Sequence, residues 1–130
     1  MEIYVVDAHA LVWFITDNTR LSAEAYHLLE QAELAEVQVL IPAIVLAEIA
    51  YIAQRKRVDV AVDELLQRIE GGDGFAVVPF DMAIFKIMLQ LPAGWEIHDR
   101  IIGATARYYN AKLITNDEVL TESTDVETVW

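Results

Sequence analysis

The chain reads as an α/β protein, a parallel sheet wrapped by helices. Short apolar runs (Glu2–Val6, Glu36–Ile41, Phe75–Phe80 and Ala111–Thr115) alternate with stretches of helical spacing, the pattern of a parallel sheet with helical crossovers. Apolar residues make up 55% of the 130 positions, ample for a core covered on both faces. A chain of this length forms one domain, 1–130, and removes roughly 65–70% of its extended surface from water on folding.

Each element follows in order. Glu2–Val6 is a buried strand, and after the acidic break at Asp7 the run Ala10–Ile15 continues as a helix or turn. Leu21-Ser22-Ala23-Glu24-Ala25-Tyr26 carries a helix-start signature, with Ser22 as N-cap, Leu21 and Tyr26 spaced as a hydrophobic staple and Glu24 at the positive end. That helix runs to about Glu33. Glu36–Ile41 is a second strand, and Pro42 suits the first position of a helix extending to about Arg57. Glu48 is the only charge in that helix before Arg55, so its expected environment is a protein interior. Asp63–Ile69 is helical. Gly71-Gly72-Asp73-Gly74 is a turn into the strand Phe75–Phe80, without the spacing or lysine of a phosphate-binding loop. Asp81–Leu91 is a helix closed by Pro92-Ala93-Gly94, and His98-Asp99 opens another that Asn110 ends near Tyr109. Ala111–Thr115 is a strand, and Val126–Trp130 a last short one.

Composition narrows the chemistry. With no cysteine, disulfides, thiolate zinc sites and a cysteine nucleophile are excluded, and any metal must bind through oxygen or imidazole. No apolar stretch approaches the ~20 residues of a membrane span. The start at Met1-Glu2 lacks the basic region of a secretory signal, so the expected location is cytoplasmic. The net charge of −12 runs against the basic footprint usual in nucleic-acid binders. A polyanionic substrate would need bound metal and local basic patches.

Four carboxylates stand where apolar segments end or are interrupted: Asp7, Glu48, Asp99 and Asp117. Asp7 and Asp117 follow strands, at the sheet edge where α/β proteins bind ligands. Each has a plainer reading. Asp7 can cap the next helix, Asp99 can be the N-cap of its own, and Asn116-Asp117 can be turn chemistry. Glu48 is the most telling, because its helical neighbours are Ile44, Val45, Tyr51 and Ile52, and a glutamate is rarely buried without a partner. Thr115, two residues before Asp117 and on its face, is placed to support a carboxylate or a bound water. Asp81 also follows a strand and starts a helix; it is assigned as an N-cap, although spacing alone does not separate it from Asp99. Arg55-Lys56-Arg57 complements a helix C-terminus and is also the best basic patch for phosphate contact. His9, His27 and His98 raise a histidine–aspartate phosphohydrolase site, but such folds are helical and this chain has several good strands. No serine–histidine–aspartate arrangement stands out.

The same residues resemble a family. Val5-Val6-Asp7-Ala8-His9-Ala10-Leu11-Val12-Trp13, Ile44-Val45-Leu46-Ala47-Glu48-Ile49-Ala50, His98-Asp99-Arg100-Ile101-Ile102-Gly103-Ala104-Thr105-Ala106-Arg107 and Leu113-Ile114-Thr115-Asn116-Asp117 are similar to PIN-domain proteins, especially VapC-type toxins. The resemblance implies a three-layer α/β/α sandwich and a Mg²⁺- or Mn²⁺-dependent endoribonuclease whose pocket comprises Asp7, Glu48, Asp99 and Asp117. Thr115 matches the family's hydroxyl residue, and Asp81 has no catalytic counterpart. Also implied are 5′-phosphate and 3′-hydroxyl products, a homodimer, and a cognate antitoxin that pushes a basic side chain toward the acids. Ala8 departs from the threonine of many relatives, and the strong negative charge is unusual for an enzyme that cuts RNA. Two other classes compete: a non-catalytic module acting by dimerisation and antitoxin or RNA binding, and a phosphorylatable receiver domain. The receiver reading fails on its missing paired early acids and leaves Glu48 unexplained.

Overall fold

The computed structural model describes residues 1–55 and 60–130. Among them, five strands form one parallel sheet in the order β3-β2-β1-β4-β5. The strands are β1 (Ile3–Val6), β2 (Gln38–Pro42), β3 (Phe75–Val78), β4 (Lys112–Ile114) and β5 (Thr128–Val129). Between them run α1 (Ala8–Ile15), α2 (Ala23–Glu33), α3 (Ala43–Gln54), α4 (Val62–Gly71), α5 (Met82–Met88), α6 (Ile97–Tyr108) and α7 (Glu118–Glu122).

The strand order decides where a site can form. The chain builds outward from β1 through β2 to β3, then crosses back to lay β4 on the other side of β1. Right-handed crossovers put α1–α4 on one face and α5–α7 on the other, because the direction of travel reverses. This gives the three-layer α/β/α sandwich. It also makes the carboxyl ends of β1 and β4 the switch point, where the helices on either side diverge and leave a crevice. The two strands pair Val6 with Ile114, and the Asp7 amide donates to the Ile114 carbonyl at 3.3 Å.

The central strands are apolar because both faces are covered. Val5, Val6, Val39, Ile41, Leu113 and Ile114 are buried in the main core, with Leu11 and Phe14 of α1 and Leu29 of α2 packed on them. A smaller cluster of Ile84, Met88, Leu91, Ile101 and Ala104 joins α5 to α6. Arg68 of α4 reaches Glu33 of α2 with two hydrogen bonds, at 3.2 and 2.9 Å, and lies over the Phe14 ring.

Several boundaries differ from expectation. Pro42 is the last residue of β2 and the N-cap of α3, since its φ of −59° suits a strand end as well as a first helical turn. β2 therefore runs into α3 without a loop. The interior environment expected for α3 is not what the helix has: only Val45 and Ile49 are buried, and Tyr51 is 49% exposed. Gly71 closes α4, so the turn is shorter than the glycine run. Gly74 is required there because a Cβ would collide with the carbonyl oxygens of Ala32 and Val37. Glu96 caps α6, with its carboxylate accepting from the His98 amide at 2.9 Å, so Asp99 is not the N-cap. Asp81 does cap α5, accepting from the Ile84 amide at 3.0 Å. The short helix α7, whose N-cap is Asp117, has no counterpart among the expected elements.

Candidate active site

Asp7, Glu48, Asp99 and Asp117 all line one cleft of about 250 Å³ at the switch point. Each arrives by a different route. Asp7 leaves β1 and caps α1; Asp117 follows β4 and caps α7; Glu48 comes from the middle of α3 and Asp99 from the first turn of α6. The two helix-borne acids come from α3 and α6, which meet beside the ends of the two central strands, with Ile44 of α3 packed on the α5–α6 cluster. Asp81, the fifth candidate by position, serves only α5.

Asp7 is the fixed point. It is 7% exposed; one carboxylate oxygen accepts from the Ala10 amide at 2.8 Å and the other from the Thr115 hydroxyl. Thr115 is completely buried, and its oxygen also accepts from the Asp117 amide at 3.1 Å. One hydroxyl thus ties the ends of both strands together. The support expected of Thr115 goes to Asp7, across the sheet. Asp117 is held by its own cap, accepting from the Leu120 amide at 3.1 Å.

The electrostatics are those of an acidic site without compensation. Burial pushes the Asp7 carboxyl above its ordinary range, against the Thr115 and Ala10 hydrogen bonds that hold it down. Burial likewise raises Glu48, with Glu96 and Asp7 adding to the rise while His98 and His9 oppose it. Asp99 is pushed up to about 6, first by burial and then by the neighbouring charges of Asp117, Glu96 and Asp7. Glu48 Oε1 is buried with no hydrogen-bond partner among the described residues. A buried carboxylate oxygen in that state is costly unless a cation or a proton meets it.

Among the described residues, no three histidine, aspartate or glutamate side chains already form a closed cation cage. The donor set nevertheless suits a small hard cation. Magnesium is commonly held by one or two carboxylates, keeps several waters and takes the rest of its shell from substrate phosphate. A carboxylate-rich cleft with an orphaned Glu48 oxygen offers that kind of partial shell.

Three titratable cleft residues lie outside the expected set: His9, Glu96 and His98. His98 Nδ1 stands 2.7 Å from Glu96 Oε1, on the rim. The sequence carries a signal in Glu96-Ile97-His98-Asp99, a capping acid beside a candidate acid, and the histidines join the carboxylates in the cleft instead of forming a separate site. Arg55 is exposed at the end of α3, its guanidinium 4.7 Å from the Tyr51 ring centroid. Lys56 and Arg57, the rest of that basic patch, lie outside the described residues.

A parallel sheet with carboxylates gathered at its switch point is the architecture of a known class: the chain belongs to the PIN domain family, whose family model matches residues 4–124. Within that class it is similar to Ribonuclease VapC22 of Mycobacterium tuberculosis, 25% identical over 122 residues that cover 92% of this chain and 91% of the relative. Its fold matches the crystal structure of VapBC2 from Rickettsia felis bound to a promoter DNA fragment, with a TM-score of 0.72, 18% identity and 98% of each chain covered. A toxin–antitoxin complex from Klebsiella pneumoniae matches with a TM-score of 0.68 and 21% identity, over 98% of this chain and 96% of the other. The PIN-like sandwich expected from the sequence is the fold observed.

Proposed function

We propose that the protein is a divalent-cation-dependent endoribonuclease, the toxin of a toxin–antitoxin pair. One observation carries the reading: in a PIN domain, four acids from two strands and two helices line one cleft, with a buried oxygen of Glu48 left unpartnered. The similarity to a ribonuclease supports the reaction class, and the fold shared with chains of toxin–antitoxin complexes supports the setting.

The residues divide the work. Thr115 and the Ala10 amide hold Asp7 in one orientation, so its carboxylate is positioned before any ligand arrives. Asp117, the N-cap of α7, is held by its amide on the same hydroxyl and by the Leu120 amide on its carboxylate. Glu48 on α3 and Asp99 on α6 complete the cleft. A bound Mg²⁺ or Mn²⁺ would neutralise this charge, activate water and stabilise the phosphate as charge develops on it. In-line attack of water on phosphorus, with departure of the 3′-oxygen, leaves the 5′-phosphate and 3′-hydroxyl ends expected from the family. The partners on this reading are RNA, a cognate antitoxin whose basic side chain would satisfy the acids, and a second copy of the chain.

The test is cleavage of a mixed RNA panel with Mg²⁺, Mn²⁺ or EDTA, beside a folded Asp7→Asn/Asp99→Asn double variant. The expected result is cleavage that needs a divalent cation and vanishes in the variant. A folded, inhibitor-free protein that binds RNA or antitoxin but cuts nothing would instead be a non-catalytic PIN module.

A further inference from the structure

The acidic cleft adjoins a second one of about 400 Å³, and Asp7, His9 and Asp117 line both. The rest of the second cleft adds aromatic and basic groups to a further acid, its walls being Trp13, Arg20, Asn116, Glu118 and Trp130. Trp13 lies on α1 and is half-buried; Trp130 meets it edge to face with ring centroids 5.9 Å apart. The Arg20 guanidinium lies over the Trp13 ring, 5.9 Å from its centroid. Its backbone is fixed by the turn after α1, where the Arg20 amide donates to Asn18 Oδ1 at 2.9 Å.

Arg20 is exposed, and among the described residues it makes no ion pair. In a chain of net charge −12, that leaves an uncommitted cation beside the acidic cleft, stacked on an aromatic surface. The carboxylates Asp7, Asp117 and Glu118 share this opening, so what favours a nucleic acid strand is the Arg20–Trp13 pair and not the lining as a whole. Arginine's planar, weakly hydrated group contacts phosphate and stacks on π-faces, and a base on an aromatic platform gains about 1–3 kcal/mol whatever its identity.

The geometry points to a subsite for one unpaired nucleotide of single-stranded RNA beside the scissile phosphate, with Trp13 and Trp130 as the stacking surface and Arg20 as the phosphate contact. This rests on the ribonuclease reading and names the residues of this chain that would hold the substrate beside the acids. Duplex RNA keeps its bases stacked inside and cannot offer a face to the tryptophans.

The test measures binding apart from cleavage. In the Asp7→Asn/Asp99→Asn background, with EDTA, fluorescence anisotropy compares a short labelled mixed-sequence single strand with the same sequence as duplex. Arg20→Ala, Arg20→Lys and Trp13→Leu are then added, each first shown to be folded by thermal melting. The single strand is expected to bind better than the duplex, and Arg20→Ala to weaken it roughly tenfold or more. Arg20→Ala should also flatten the log–log salt dependence by about 0.7, the share of one phosphate on a single strand. Arg20→Lys should restore the slope, and Trp13→Leu should weaken binding with the slope unchanged.

Equal binding of duplex, no binding of the single strand, or Arg20→Ala binding with unchanged affinity and slope would each overturn the subsite. If the unmutated protein cuts RNA while Arg20→Ala binds normally, only the subsite falls. If it cuts nothing yet binds single strands through Arg20, the nuclease reading falls and the subsite stands.

Discussion

Thr115 does more for the cleft than its uncharged side chain suggests. Its hydroxyl donates to Asp7 and accepts from the Asp117 amide, so two of the four acids are oriented by one buried oxygen. Thr115→Val keeps the shape and removes both bonds. Cleavage is expected to fall on the order of 10- to 100-fold, as when an orienting partner behind a ligand is lost, and turnover assays beside a melting curve would separate this from unfolding. Asp99 gives a prediction of the opposite kind. Its folded carboxyl titrates at about 6 against an ordinary 3.8, so between those values the native state holds more protons than the unfolded chain. Stability is therefore greatest below the unfolded value and declines as pH rises through the folded one. Asp99→Asn should stabilise the metal-free protein at about pH 7.5, by on the order of 1 kcal/mol once solvent screening at its half-exposed position is allowed for, and should give no gain near pH 4. Melting temperatures across that range, without divalent cation, decide it.

At the scale of elements, three helices end in the same hydrogen-bond pattern on a residue other than glycine. After α1, α2 and α6 the chain turns through Asp17, Ala35 and Asn110 at φ of 53°, 58° and 52°. After α2, for example, the Ala35 amide bonds the Ala32 carbonyl at 3.1 Å and the Glu36 amide bonds Gln31 at 2.9 Å. Aspartate and asparagine tolerate this left-handed geometry, whereas alanine bears a steric cost there. Ala35→Gly should raise stability by about 1 kcal/mol, or a few degrees in Tm, with cleavage unchanged. The same substitution logic fails at Gly74, where the constraint is room and not φ. These endings also explain what could be read from the chain. Asn110 was visible as a stop because asparagine is a recognised helix terminator, while Ala35 gave no such sign. Ser22 and Asp81 were readable as caps from local chemistry alone. The five-residue α7 was not, because one turn of helix has no periodicity to detect.

Across the whole molecule, the placing of Asp7 and Asp117 in the cleft is legible in the sequence because each follows an apolar strand, and strand ends are a local property. Asp99 was not separable from Asp81 in that way. Both follow apolar or loop segments near helix starts, and only the order of strands in the sheet sends α6 over the crevice and leaves Asp81 capping α5. Glu48 stands out in an apolar helix that is less covered than its composition predicts. The composition of α3 suggested full burial, yet hydrophobicity does not say what covers a helix, and much of this one is open beside an apolar groove lined by Ile44, Tyr51 and Ile52. The concentration of charge has its own consequence. Mg²⁺ or Mn²⁺ that binds the folded cleft and not the unfolded chain should raise Tm by mass action, by an amount growing with cation concentration. That rise should disappear in Asp7→Asn/Asp99→Asn, and a rise of equal size in the variant would remove these acids from the cation site.

The hydrogen bond from Thr115 to Asp7 closes a loop across 108 residues of sequence, and β4 occupies the edge of β1 that no earlier strand covers. During synthesis β1 is made first and keeps that edge bare until Lys112–Ile114 has been added, since the strands between pair only toward β2 and β3. Until then Asp7 lacks the hydroxyl that orients it, and the wall supplied by α7 has yet to arrive. A growing chain thus lacks a finished cleft, and the uncovered edge of its central strand is open to pairing with a neighbouring chain until β4 covers it.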